Sequence, residues 1–444
     1  MRSPIEDPDR VDTERLSREA YDAAQLGIHH FAQGRADQAI VSSRDALAIR
    51  RVLVDVDPGR FLPELAGVLT NLSVYLYSTG EYVEALDLAQ ESVLTYRKLL
   101  AAGGRVDADL ATALINLSNR LALVGRVEDA LVCAQDSVRI RRDQAGAEPG
   151  RHVALVVALN HLCARLMQAG RATDAVATAA EAVQRCRQVA ADDQAGRSEL
   201  AAALNNLGLA HAATNEYEYA VKATHEAHLI HQQLVAADAT RYRPALATTL
   251  SNLGSHWWGL RRADRAERAA AEAITFFRSL SAANPRYLKE LASALSNISV
   301  YAAARGHLPQ ALKAAREAVQ IAQGLARTNP GFRADLAAAL NNLGITYAEL
   351  GQPINALPLT REAVAIRRNL ANELPTRFRS DLADSLTNLA NRLTELGYER
   401  EAAAYRAEAK APATSDNQGT DSCHERVGGR MRFPVSADVI AYDH

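Results

Sequence analysis

The stretch THEAHLIH, residues 224 to 231, sets His225, His228 and His231 beside Glu226 in a chain of 444 residues with 12 histidines. Imidazoles and a carboxylate this close could serve a metal ion or a general base. Their spacing speaks against it. The run is not H-E-x-x-H, and histidines three apart cannot all reach one metal from a straight helix. No phosphate-cradling G-x-x-x-x-G-K-[ST], dinucleotide G-x-G-x-x-G after a strand or nucleophile-elbow G-x-S-x-G is present. Cys133, Cys163, Cys186 and Cys423 lack the spacing of a metal site or a disulfide framework and fit a reduced, cytoplasmic setting. No catalytic residue, metal site or cofactor is expected.

A different polar residue recurs. LNNLG stands at residues 204 to 208 and again at 340 to 344, within alanine-rich helical sequence. Asparagine is a mediocre helix former because its side chain competes for backbone hydrogen bonds, so its repetition needs a reason. Aligning the chain on its Asn-Leu pairs puts Asn71, Asn116, Asn206, Asn252, Asn297, Asn342 and Asn388 in one column, 45 or 46 residues apart, with Gln25 and His161 in the remaining places. Nine residues later come Gly34, Gly80, Gly125, Gly170, Gly306, Gly351 and Gly397, replaced once by Asn215 and once by Arg261. Five further on stands an alanine in every unit, from Ala39 to Ala402, and six beyond that an acid in every unit, from Asp45 to Glu408.

Each unit therefore reads as a helical hairpin. Leu336, Leu340 and Leu343 have the spacing of an apolar helix face, and the glycine supplies the C-cap and turn. The alanine marks a close approach of two helices. Asp57-Pro58, Asn284-Pro285 and Asn329-Pro330 pair an N-cap with proline at the first helical position. Phe61, Tyr242, Tyr287, Phe332 and Phe378 are expected to plug the seams between units. The acids, such as Glu317 and Glu362, read as ion-pair partners between units. Where Arg261 replaces the turn glycine, an altered local geometry is expected.

The bulk numbers agree with this picture. Apolar residues make up 48% of the chain and aromatics 5%, a mixture suited to closely packed helices. Fifty basic and 52 acidic side chains leave a net charge of -2, which argues against a polyanion such as nucleic acid as partner. The acidic N-terminus has no apolar core, and no run of 18 apolar residues occurs, so neither signal peptide nor membrane span is expected.

The order Leu343-Gly344, Tyr347, Gly351, Ala356 and Ala363 resembles the tetratricopeptide repeat, with longer helices. Long units bearing LNNL are most similar to the kinesin-light-chain type, and NPGFRADLAAALNNLGITYAELG resembles bacterial, in particular actinobacterial, arrays. The resemblance covers roughly residues 21 to 410. It implies an all-α, right-handed superhelical solenoid of about nine helix-turn-helix repeats of 45 to 46 residues, with the first helix of each pair lining a concave groove. Residues 1–20 are then a leader running into the first helix, and 411–444 a polar C-terminal tail expected to be disordered.

The same resemblance assigns Asn71, Asn116, Asn206, Asn252, Asn297, Asn342 and Asn388 to holding the backbone of a bound peptide, because amides both donate and accept. Asn205 and Asn341, one place earlier, share that side or its margin. Arg120 and Arg165, four places after the column and beside Asn119, are candidates for an acidic partner residue or for local ion pairs. Trp258, with His256 and Tyr301, offers an aromatic platform or packs against its neighbour, whereas Trp257 is expected in the core. A clamp for a chaperone's carboxylate tail would need cations four residues before the column, and none is there.

The expected function is a non-catalytic scaffold or adaptor that binds an extended peptide of another protein. The alternative is a sensor or regulatory module controlling a separate effector in signalling, transcription or defence. MRFPVSADVIAYDH, at the end of the chain, has the apolar content of a docking segment for the array's own groove.

Overall fold

The computed structural model describes residues 12–147, 152–189, 194–373 and 375–410. Those residues form 18 α-helices and no strand. They divide into two compact units. The first holds α1 (Thr13–Ala32), α2 (Ala36–Val56), α3 (Pro58–Thr79), α4 (Tyr82–Ala101), α5 (Asp107–Leu123), α6 (Val127–Ala147), α7 (His152–Gln168) and α8 (Ala172–Val189). The second holds α9 (Gln194–Ala213), α10 (Tyr217–Ala237), α11 (Ala239–Gly259), α12 (Ala263–Ala283), α13 (Leu288–Ala304), α14 (Leu308–Thr328), α15 (Arg333–Glu349), α16 (Pro353–Glu373), α17 (Pro375–Glu395) and α18 (Glu399–Lys410). Short 3-10 turns, Pro285–Tyr287 and Pro330–Phe332, lead into α13 and α15. Odd-numbered helices are the first of each hairpin and even-numbered helices the second.

The turn chemistry explains where each first helix stops. All seven glycines of the turn column have positive φ, between 70° and 91°. Asn215 and Arg261 take the same left-handed conformation, with φ of 63° and 59°, so the unit without glycine keeps the geometry of the others. That corrects the expectation of a local change. The turn is imposed by the packing of the hairpin, and Arg261 bears the strain that glycine avoids.

Helix starts follow the side chains that precede them. Asp57, Asp238, Asn284 and Asn329 each accept a backbone N–H of the first turn, at 3.2, 3.1, 3.1 and 2.8 Å. Phe61, Tyr242 and Phe378 are buried as expected, whereas Tyr287 and Phe332 end their 3-10 turns only half-buried.

Each hairpin closes on its alanine. All nine, Ala39, Ala85, Ala130, Ala175, Ala220, Ala266, Ala311, Ala356 and Ala402, are completely buried. Two residues after the asparagine column the facing first helix carries a small residue. There Ser118 Oγ donates to Ala130 O at 2.7 Å and Cys163 Sγ to Ala175 O at 3.6 Å. A side chain at Gly208 would press on Ala220 O and collide with Thr224, and one at Gly344 would meet Thr360 Oγ1 at 2.7 Å. The glycine of LNNLG is thus a contact requirement of the hairpin.

Within each unit, successive first helices touch: α1 with α3, α3 with α5 and α5 with α7, then α9 with α11 and onwards to α17. Among the described residues, the backbones of successive second helices do not approach in this way, and those helices meet through long side chains. The first helices therefore form the inner side of each unit.

Candidate functional site

Two stripes of the first helices differ in what they bond. Asn205, one place before the column, donates from Nδ2 to Thr249 Oγ1 of the next hairpin at 2.7 Å. His231 Nδ1 meets the same hydroxyl at 2.8 Å, in a buried network. Asn341 Oδ1 accepts from Asn388 Nδ2 at 3.1 Å, again between hairpins. Thr70, the equivalent residue of α3, bonds Ser92 Oγ at 2.7 Å. The first asparagine of LNNLG is thus engaged within the fold.

Five members of the asparagine column differ from it, and from Asn388, the donor to Asn341. Among the described residues, none donates to or accepts from the side-chain amides of Asn71, Asn116, Asn252, Asn297 or Asn342. These side chains are at least half-buried, and Asn297 is only 9% exposed. A buried amide left without a partner forfeits about 1–3 kcal/mol of solvation. Asn119, three places after Asn116, likewise has a buried Oδ1 without a partner. Successive packed helices lie roughly 10 Å apart, and an extended chain rises roughly 3.3 Å per residue, so one hairpin step matches about three residues of extended backbone. Half-exposed Leu209, Val300 and Ile345 stand three places after the column and give apolar surface beside the amides.

Four other expected contact residues share one column, four places after the asparagine, and all are buried. Arg120 is 4% exposed, Arg165 3%, His256 2% and Tyr301 0%. They occupy the seam between first helices. Arg120 Nη2 donates to Ser73 O at 3.3 Å, and its guanidinium lies 4.3 Å from the centre of the Tyr77 ring. Tyr301 donates to Ser255 Oγ at 3.5 Å and packs 5.2 Å from Trp258. Phe31 and Tyr75, 4.4 Å apart, repeat this geometry in α1 and α3. Sequence reasoning missed the rule that joins these pairs, although its signal was legible: a large residue six places after the column meets a large residue four places after the next one. The expected platform of His256, Trp258 and Tyr301 is not a surface, because its bulk is spent on this seam and only Trp258 is half-exposed. Trp257 is also half-buried, with Arg265 stacked 4.5 Å over it.

Burial governs the titratable groups here. It lowers the pKa of His161 and His231 to about 4 and that of His256 to about 3, so all three are neutral at pH 7. Arg165 adds to the effect on His161, and His228 to that on His231. Burial also pushes the Cys163 thiol up to about 12 and Cys133 to about 11, which makes both poor nucleophiles. Among the described residues, no group of three or more His, Cys, Asp or Glu side chains could hold a metal ion. Among them, no helix is long and apolar enough to cross a membrane. A cleft of about 330 Å³, lined by Leu100, Asp107, Leu110, Arg139, Ile140, Asp143 and Gln144, lies at the ends of α4 to α6, away from the asparagine column.

The second helices carry the expected ion pairs. Arg51 binds Glu91 at 3.0 Å, Arg97 binds Asp136 at 3.0 Å, and Arg142 binds Glu181 at 2.6 Å. Arg278 binds Glu317 at 2.7 Å, and Arg368 binds Glu408 at 2.6 Å. Each arginine stands one hairpin before its acid.

An array of helical hairpins with small residues at every crossing defines a helical repeat protein. Residues 65–103, 110–147, 291–325 and 336–373 match the family model for the tetratricopeptide repeat, so the chain contains tetratricopeptide repeats. Among solved structures it is similar to the apo form of RapI, with 12% identity, TM-score 0.57, and coverage of 89% of this chain and 97% of that one. It is similar to the apo quorum sensor NprR from Bacillus thuringiensis, with 14% identity, TM-score 0.53, and coverage of 89% and 98%. A Rap protein complexed with Competence and Sporulation Factor matches at 14% identity and TM-score 0.50, over 81% of this chain and 99% of that one. No curated protein matches the sequence.

Proposed function

We propose that the chain is a non-catalytic scaffold that holds an extended peptide segment of another protein against the asparagine column of its first helices. One observation carries the reading: the amides of Asn71, Asn116, Asn252, Asn297 and Asn342 have no protein partner, whereas Asn205 and Asn341 beside the column are bonded across hairpins. An extended backbone presents the N–H and C=O groups such amides pair with. The residues proposed to meet the peptide are Asn71, Asn116, Asn252, Asn297 and Asn342 of the column and Asn119, with Trp258 at the margin, whereas Asn388 is held by Asn341.

The test is the double variant Asn297→Ala and Asn342→Ala. Proteins that co-purify with the wild-type chain supply the sequences for a tiled peptide array. Peptides that bind the wild type should bind the variant roughly 10- to 100-fold more weakly, as expected for two lost hydrogen-bonding groups. The melting temperature should stay within about 2 °C. Unchanged binding, or binding lost together with the fold, would sink the reading.

The likeness to a quorum sensor and to a Rap protein solved with a bound factor favours a second reading, a regulatory module acting on a separate effector. Its mark would be an effector enzyme or transcription factor as the stoichiometric co-purifying protein. A partner with neither activity would count against it.

A further inference from the structure

The tip of the α11–α12 hairpin breaks three local rules that other units keep. The first is conformational. Arg261 holds the left-handed backbone, φ 59°, that glycine or asparagine takes in every other turn of the column. The second is electrostatic and concerns the place thirteen residues after the asparagine column. There Glu84, Asp129, Asp174 and Glu401 pair with Arg44, Arg126, Arg171 and Arg361 respectively, at 2.6 to 3.0 Å. In α12 that place holds Arg265. The third rule falls with the second. Arg262 and Arg265 are like charges three places apart at the start of one helix, and Arg265 adds a cation to the positive end of the helix dipole.

The acids of the tip itself are already engaged. Asp264 binds Arg268 at 3.4 Å, and Glu267 binds Arg305 at 2.5 Å and His307 at 3.1 Å. In α10 the place from which Arg44 and Arg361 reach the next hairpin elsewhere is filled by His225. Arg261, Arg262 and Arg265 are exposed, and among the described residues none of the three is in an ion pair. Arg265 is held over the half-buried Trp257 ring, 4.5 Å from its centre, a stacking that leaves the guanidinium edge free to donate.

A place where strain, charge pairing and helix polarity all run against the local rules is one where a ligand supplies what the fold does not. What is missing here is carboxylate. The neighbouring α9–α10 tip, whose Tyr217 ring lies against Gly259, carries Glu216 and Glu218. A long polyanion running past the arginines would meet those acids, whereas a short acidic segment fits within one tip.

We propose that the α11–α12 tip is a second docking surface, at which Arg261, Arg262 and Arg265 take a short acidic segment of a partner protein. It lies outside the asparagine column and does not depend on it.

The test uses the full chain and a fluorescein-labelled peptide of six glutamates, read by anisotropy in low salt. The chain should bind it at least tenfold more tightly than a peptide of six glutamines, and high salt should shrink the difference. Arg265→Asp gives this tip the pairing seen between Arg126 and Asp129, so it should weaken glutamate binding at least tenfold with the melting temperature level. Arg261→Gly should weaken binding roughly threefold while the melting temperature stays level or rises, because glycine relieves the left-handed strain. Asn297→Ala with Asn342→Ala should leave glutamate binding unchanged, which keeps this surface and the asparagine column separately testable. Equal binding of the two peptides, binding indifferent to Arg261 and Arg265, or a lower melting temperature in both arginine variants would overturn the proposal. A twelve-nucleotide oligouridine that binds more tightly than the glutamate peptide, and weakens with the same substitutions, would overturn it in favour of nucleic acid.

Discussion

Along the second helices an acid recurs in every hairpin and an arginine in six, and along the first helices an asparagine recurs in seven. The arginines Arg51, Arg97, Arg142, Arg278 and Arg368 find their acids one hairpin on, at 2.6 to 3.0 Å. The amides of Asn71, Asn116, Asn252, Asn297 and Asn342 find no protein partner among the described residues. A repeat explains both regularities as products of one unit copied along the chain. The difference lies in whether the unit also supplies the complementary group. The second helices contain both halves of each pair, so the contact saturates internally. The inner stripe contains one half, and in the proposed function the other half comes from a bound peptide.

The largest expected effect separates the buried polar groups from the outer ion pairs by pH. His161, His231 and His256 are buried and neutral, with folded-state pKa values of about 4, 4 and 3. Their unfolded value is near 6.5, so the unfolded chain takes up protons first as the pH falls. Their stabilising effect is complete above pH 6.5 and is lost progressively towards pH 4. The loss is on the order of 3 kcal/mol for a histidine shifted from 6.5 to about 4. Urea denaturation at intervals between pH 7.5 and 4.5 should show this loss. A flat profile would mean that the three buried histidines are solvated.

A middle-sized effect separates the two stripes of the first helices. Thr249→Val removes the hydroxyl shared by Asn205 and His231, leaving both buried without it. The cost should be about 2–3 kcal/mol. Asn252→Ala, in the next column, should stay within about 0.5 kcal/mol. Equal costs would erase the distinction between engaged and available amides.

The smallest effect is on the outside. Arg278 and Glu317 are 53% and 31% exposed, so Arg278→Gln should cost about 0.5 kcal/mol or less, and that cost should vanish in 1 M salt. Chevron or equilibrium data at low and high salt would measure it. A larger, salt-insensitive cost would show that the outer ladder holds the hairpins together.

Much of the fold could be read directly, because repetition tests every position nine times. The buried alanines and the turn column emerged from spacing alone, and Asn215 and Arg261 could be aligned with glycines before their φ values were known. The aromatic platform was misjudged for a physical reason. His256 and Tyr301 lie on the helix stripe expected to face a groove, but a residue one step round from that stripe turns into the seam when the neighbouring helix leaves room for it. The neighbour's residue six places after its column decides this: Trp258 there covers Tyr301, and Tyr77 covers Arg120.

The sequence by itself determined the period, the hairpins, the close helix crossings and the acids that bridge neighbouring units, since these depend on residue size, backbone freedom and charge at fixed intervals. Tertiary structure alone decided which polar side chains are spoken for. A hydrogen bond reaches only about 3 Å, so whether Asn205 or Asn252 finds a partner depends on the placement of a residue from the next hairpin. That placement left the first asparagine of LNNLG tied into the array and the asparagine column facing its inner side.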